Sequence, residues 1–156
     1  MTVSKRSEIL EALEDRLEAI TVANGYRRTI VTVAHEAKDW AEVPTAAMDW
    51  LGIVPLTETF TDQPGHVISD WSIAVIAHLA VATPTAESIR DAIVDLASDI
   101  RKKLYTAPSN LGVEHVHYVS LVSRDGAESD PAAVAMGVAS CVFKLNVRFE
   151  EGLTDS

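Results

Sequence analysis

The sequence predicts an α+β domain, a mainly antiparallel sheet of about four to five strands with two helices packed on it. Three observations lead there. Two stretches carry apolar residues at helical spacing, and the segments between and after them alternate apolar and polar residues as strands do. Helical and extended stretches follow the order helix, strand, strand, strand, helix, strand, strand. The chain of 156 residues is the size of one domain with a proper core.

Ser7–Ala23 forms the first expected helix. Ile9, Leu10, Leu13, Leu17 and Ile20 make its apolar stripe, and Asn24-Gly25 is a C-terminal stop. Tyr26–Glu36 is rich in β-branched residues and reads as a strand. Lys38–Val43, polar around Trp40, reads as a loop. Thr45–Phe60 is expected to be extended, with Gly52 and Pro55 favouring an edge strand or a bulge. Thr57–His66 is polar with Pro64-Gly65 near its end, the pattern of a projecting turn or arm.

Val67–Thr83 is the clearest strand. Trp71, Ile73, Val75, Ala77, Leu79 and Val81 line one face, and neither face is charged after Asp70, which predicts a central position. The most strongly specified element is the helix over Thr85–Tyr105. Ile89, Ala92, Ile93, Leu96, Ala97, Ile100 and Leu104 repeat at helical spacing, Thr85 is placed to cap, and Arg101, Lys102 and Lys103 lie near the negative C-terminus. Glu114–Arg124 reads as a strand, with Val116, Tyr118, Ser120 and Val122 on one face and His117, Val119, Leu121 and Ser123 on the other. Asp125–Ala132 reads as a polar loop. Val138–Phe149 is the last strand, with Ala139, Cys141, Phe143, Leu145, Val147 and Phe149 on its apolar face. Residues 150–156 are expected to form a mobile tail of the single domain 1–156.

Composition is globular, 47% hydrophobic and 23% charged, with a net charge of −10 and a pI near 4.8. Such acidity opposes gripping nucleic acid through its phosphates or docking to anionic lipid. Cys141 is the only cysteine, so no internal disulfide forms, as suits a reducing compartment. The N-terminal MTVSKRSEIL lacks the apolar core and cleavage site of a signal peptide, and no apolar run is long enough for a transmembrane helix.

Few residues suggest chemistry. His115 and His117, with His35, His66 or His78, offer a metal-site reading. Against it, the sequence has neither ligating cysteine pairs nor an HExxH spacing, and exposed polar strand positions account for them better. Cys141 alternates with apolar residues and reads as a buried, inert thiol rather than a nucleophile. Asp95 and Asp99 read as solvated charges rather than a catalytic pair. Phosphate-binding loops and nucleophile-elbow motifs are absent from the sequence. Trp71 is expected in the core and Trp40 at an interface. The inventory predicts no catalytic, cofactor or metal residue, and a protein that works by binding other proteins.

The order and spacing resemble the tail terminator, or tail completion, proteins of long-tailed bacteriophages, the lambda minor-tail-protein-U type. The resemblance rests on EILEALEDRLEAI with NGYRRTIVTVAHE, the region after EVPTAAMDWLG, and the strand DWSIAVIAHLAVAT. It continues through the helix SIRDAIVDLASDIRKKLYT, the segment NLGVEHVHYVSLVSRDG and the closing strand VASCVFKLNVRFEEG. It implies a virion protein without enzymatic activity or cofactor, made in the host cytoplasm and placed at the head-proximal end of the tail. It further implies a homo-oligomeric ring, hexameric in the family, that ends tube polymerisation. Its partners would be the tail tube protein and a head–tail connector protein, with DNA passing through the lumen unheld and no membrane involved. A head–tail connector or neck protein of the same fold is the alternative. On this reading the arm Thr57–His66 and the loop Asp125–Ala132 carry much of the contact with neighbours or with the tube, through Glu58, Phe60, Asp62 and Gln63 on the first and Arg124, Asp125, Glu128 and Asp130 around the second, with Trp40 as a further interface residue.

Overall fold

The computed structural model describes residues 4–106, 108–125 and 131–152. The elements run α1 (Lys5–Glu18), β1 (Thr32–Ala34), β2 (Trp50–Gln63), β3 (His66–Ala80), α2 (Ala86–Leu104), β4 (Val116–Asp125), α3 (Pro131–Ala135) and β5 (Val138–Gly152), with short 3-10 turns at Val22–Asn24, Trp40–Glu42 and Thr45–Ala47. The strands form one mixed sheet of order β1-β2-β3-β5-β4, in which only the β1–β2 pair is parallel. The α+β expectation holds, and β3 occupies the middle of the sheet as its two-sided apolar pattern requires.

The core lies between one face of the sheet and α1 with α2. Trp71, Ile73, Val75, Ala77 and Leu79 of β3 meet Ile9, Leu13 and Leu17 of α1 and Ile89, Ile93, Leu96 and Ile100 of α2, all buried. Helix α2 matches its expected bounds because independent signals agree. Thr85 accepts the Ser88 N–H at 3.0 Å while the Ser88 hydroxyl accepts the Thr85 N–H at 2.8 Å. At its other end, Arg16 of α1 donates to the carbonyls of Lys103 and Thr106 at 3.1 and 2.9 Å, supplying partners that a helix C-terminus otherwise lacks. The opposite sheet face carries a smaller cluster at one end, where Val43, Met48, Trp50, Ala133 and Val138 are buried together.

Several expectations change. Helix α1 stops at Glu18, and Gly25, in a left-handed conformation at φ 90°, closes the following turn instead. Tyr26–Glu36 yields only the three-residue β1. Upstream of it, the Arg27 and Arg28 N–H groups donate to the Asp99 carboxylate at 2.9–3.1 Å rather than to a neighbouring strand. Asp99 is therefore buried at 2% exposure, not a solvated charge. Thr45–Ala47 is a turn, and the extended run starts at Trp50. Gly52 is required in that run, since a Cβ there would collide with the Glu36 carbonyl and the Trp50 ring.

The arm Thr57–His66 is a paired hairpin. Glu58–Gln63 pairs with His66–Trp71, leaving only Pro64-Gly65 as the turn, with Gly65 at φ 83°. Alternating Thr57, Thr59 and Thr61 with Phe60 between suits a strand, and a one-residue bulge between Pro55 and Glu58 absorbs the irregularity the sequence shows. In β4 a bulge between Val116 and Tyr118 reverses the alternation. Val116 and Val119 are buried while Tyr118 is exposed. Pro131 and Ala132 belong to α3 rather than to a loop. Glu150, Glu151 and Gly152 are strand, paired with Ile68, Val67 and His66, so the expected mobile tail begins too early; its remainder, 153–156, lies outside the described residues.

Candidate functional site

Beyond the bulge, β2 has no strand on its outer side among the described residues, because β1 pairs only with Trp50, Leu51 and Gly52. The hairpin formed by this half of β2 and the start of β3 is an arm with one free edge. Its four predicted contact residues divide. Glu58 turns toward α1, where Arg6 Nε donates to its Oε1 at 2.8 Å and Arg6 Nη2 pairs with its other oxygen. Arg6 also pairs with Glu151 at 2.9 Å and lies over the Phe149 ring. Burial raises the Glu58 pKa, but the hydrogen bonds and charge of Arg6 outweigh it and hold the carboxyl below its ordinary value. Glu58 thus anchors the arm to α1 and is occupied within the chain. Phe60 and Asp62 share a face of the arm, and Phe60 stands 62% exposed. Gln63 is exposed beside the turn.

At the other side of the sheet β4 is an edge strand, bulged near His117 and again between Leu121 and Ser123. Between it and α2 lies a groove of about 370 Å³. Val94, Ala97, Leu121 and Val122 give it apolar walls, and Arg101 and Arg124 line it as well. Among the described residues neither of these guanidiniums has an ion-pair partner. Val122 is 63% exposed. Of the residues predicted around the far loop, Arg124 is exposed in this groove and Asp125 ends β4, while Glu128 and Asp130 lie outside the described residues. Sequence reasoning missed Val94, Arg101 and Val122. A signal existed for Val94, an apolar residue off the α2 stripe; none existed for Val122, whose direction follows from the bulge.

The histidines separate into three environments. His78 is buried and satisfied, its Nδ1 2.8 Å from Ser140 Oγ and its Nε2 2.7 Å from the Lys38 carbonyl, with its ring stacked on Trp50. His35 pairs with Glu14 at 2.7 Å. His66, His115 and His117 converge on Glu150, at 3.9, 3.9 and 3.3 Å. They meet because His115 sits before β4 in a left-handed conformation, φ 67°, not because the two residues share a strand face. No group of three or more His, Cys, Asp or Glu among the described residues is placed to hold a metal ion.

Cys141 is buried in the core face of β5, and burial pushes its thiol up to about 12, which leaves it protonated and unreactive at neutral pH. Trp71 packs edge-on against Phe149 in the core. Trp40 is partly buried against the second cluster, so its ring is not a free surface aromatic. No helix of the described residues is long and apolar enough to cross a membrane. Comparison with known protein families and with curated proteins finds no match.

Proposed function

We propose that this chain is a structural protein of a long-tailed bacteriophage, a tail terminator that closes the tail tube as a ring, six copies by the resemblance given above. The ring ends tube polymerisation and offers the surface on which a head–tail connector protein docks. The observation that carries the reading is the pair of unlike, open surfaces at opposite sides of one sheet, the arm of β2–β3 and the groove of α2–β4. A ring needs two different complementary patches on each copy, since like-on-like contacts close after two. The net charge of −10 suits a passage for DNA, whose phosphates an acidic wall repels.

The test is electron microscopy of tail tube protein assembled with and without the chain. Tubes capped at one end, with growth arrested, are the expected result. Unaltered tubes together with binding to portal-bearing heads would move the protein to the neck, and binding to neither would remove it from the tail.

A further inference from the structure

We infer that the arm of one copy docks in the groove of the next, with the Phe60 ring on the apolar wall of Val94, Leu121 and Val122 and the Asp62 carboxylate against Arg101 and Arg124. The inference deepens the ring reading and rests on it for its biological use, but the contact itself is measurable without tubes.

Three features argue for it. The arm presents an exposed aromatic ring and a carboxylate on one face, two residues apart along β2. The groove presents the complement, exposed apolar side chains beside two guanidiniums that lack ion-pair partners among the described residues. An aromatic ring entering such a groove gains apolar contact and faces cations at once. The bulges of β4 also disfavour simple strand-to-strand addition at that edge, so side-chain docking is the contact this edge supports.

The occupant is a second copy because the chain does not reach its own groove. Phe60 lies opposite Ser69, whereas Leu121 aligns through Leu145 with Ile73, four residues further along β3. That is about 13 Å along the strand, and β2 and β4 are a further three strand spacings apart, about 14 Å. Arm and groove are different surfaces, so each docked copy leaves one arm and one groove open, the head-to-tail geometry that continues to a ring.

Sedimentation velocity up to about 1 mM tests the contact, a concentration that half-populates even a millimolar association. The wild-type chain is expected to pass beyond the dimer as concentration rises. Phe60→Ala in the arm and Val122→Asp in the groove should each abolish association with melting temperatures unchanged, since both residues are exposed. An equimolar mixture of the two variants should form dimers and nothing larger, because one intact arm meets one intact groove. Asp62→Arg and Arg124→Asp should each weaken association tenfold or more, and their combination in one chain should restore it. A wild-type chain that stays monomeric at 1 mM overturns the inference, as does association that survives both Phe60→Ala and Val122→Asp or a mixture that forms no dimer. Association of the expected pattern in a chain that leaves tubes uncapped keeps the contact and discards the tail reading. Tubes capped equally well by Val122→Asp keep the tail reading and discard the contact.

Discussion

The two ends of β3 live in different surroundings. From Trp71 to Leu79 its core-facing residues lie under the helices, and the opposite face is largely covered near Ile76 and His78 by the turns before β2 and by α3. From His66 to Asp70 the strand is mostly half-buried, flanked by the arm and by the last residues of β5. One end has many apolar contacts and buried polar anchors, and the other has backbone pairing and partly exposed ion pairs of Glu58, Glu150 and Glu151. Stability concentrates at the first end, which leaves the second free to carry side chains such as Phe60 whose exposure folding alone does not explain.

The sharpest way to break that contrast is to charge the covered end. Ile93→Asp or Leu96→Asp places a carboxylate where the wild-type side chain is at most 1% exposed. The expected cost exceeds about 4 kcal/mol, and circular dichroism should show no cooperative melt at room temperature or above. A melting temperature equal to wild type would mean that α2 does not cover the sheet.

A smaller effect is expected from the polar anchor at the same end. Asp49 is buried and bound by Arg28 Nε at 2.8 Å, and its Oδ1 accepts the Ala80 N–H at 3.0 Å. Asp49→Ala removes the Arg28 counter-charge, leaving its guanidinium only the Ala80 carbonyl at 3.0 Å, and should cost about 3–5 kcal/mol by urea denaturation. A loss below about 1 kcal/mol would show that the network adds nothing beyond its packing.

The smallest effect belongs to the arm. The Glu58 carboxyl is held below its ordinary value by Arg6, so the pair stabilises the fold above the unfolded pKa, about 4.3. That contribution fades as pH falls below this value and through the folded pKa. Glu58→Gln should lower the melting temperature slightly at pH 7 and by less at about pH 4, just below the unfolded pKa, where the stabilisation has begun to fade. An equal deficit at both pH values would assign the effect to packing instead of charge.

How much of this was legible depends on how many signals coincide at a residue. Helix α2 is bounded correctly because stripe, cap and terminal charge agree. Strands β3 and β5 follow from uninterrupted alternation. Where a feature depends on a distant partner, the sequence is silent. Asp99 reads as one more surface acid until the Arg27 and Arg28 amides arrive from the segment that follows α1. Its position, three residues after Leu96 and next to Ile100, was the available hint that it borders the buried stripe. The arm is legible as a projection, but polar Glu58, Asp62 and Gln63 hide how far its strands run, since a strand exposed on its side chains needs only backbone pairing to persist. Of the candidate contact residues, Phe60, Asp62 and Arg124 stand on open surface, whereas Glu58 and Trp40 are engaged within the chain. Side-chain chemistry alone does not separate those two groups.

The place of β5 has a consequence for how the molecule comes into being. It is the last of the five strands to be synthesised, yet it lies between β3 and β4 and pairs with β3 along its whole length. A nascent chain that has released β1 to β4 therefore has a gap beside the central strand, with one long edge of β3 and one edge of β4 unpaired. Closing it requires partners more than 50 residues apart in sequence to find each other, Ala80 with Val138 being the nearest of the β3 pairs. Such distant pairing slows folding and prolongs exposure of sticky edges. It also makes the fold all-or-nothing with respect to chain length, because a chain broken off before Val138 cannot complete the surface on which α2 rests. Prematurely terminated products would consequently be cleared or aggregate, and would not enter an assembly as poorly fitting members.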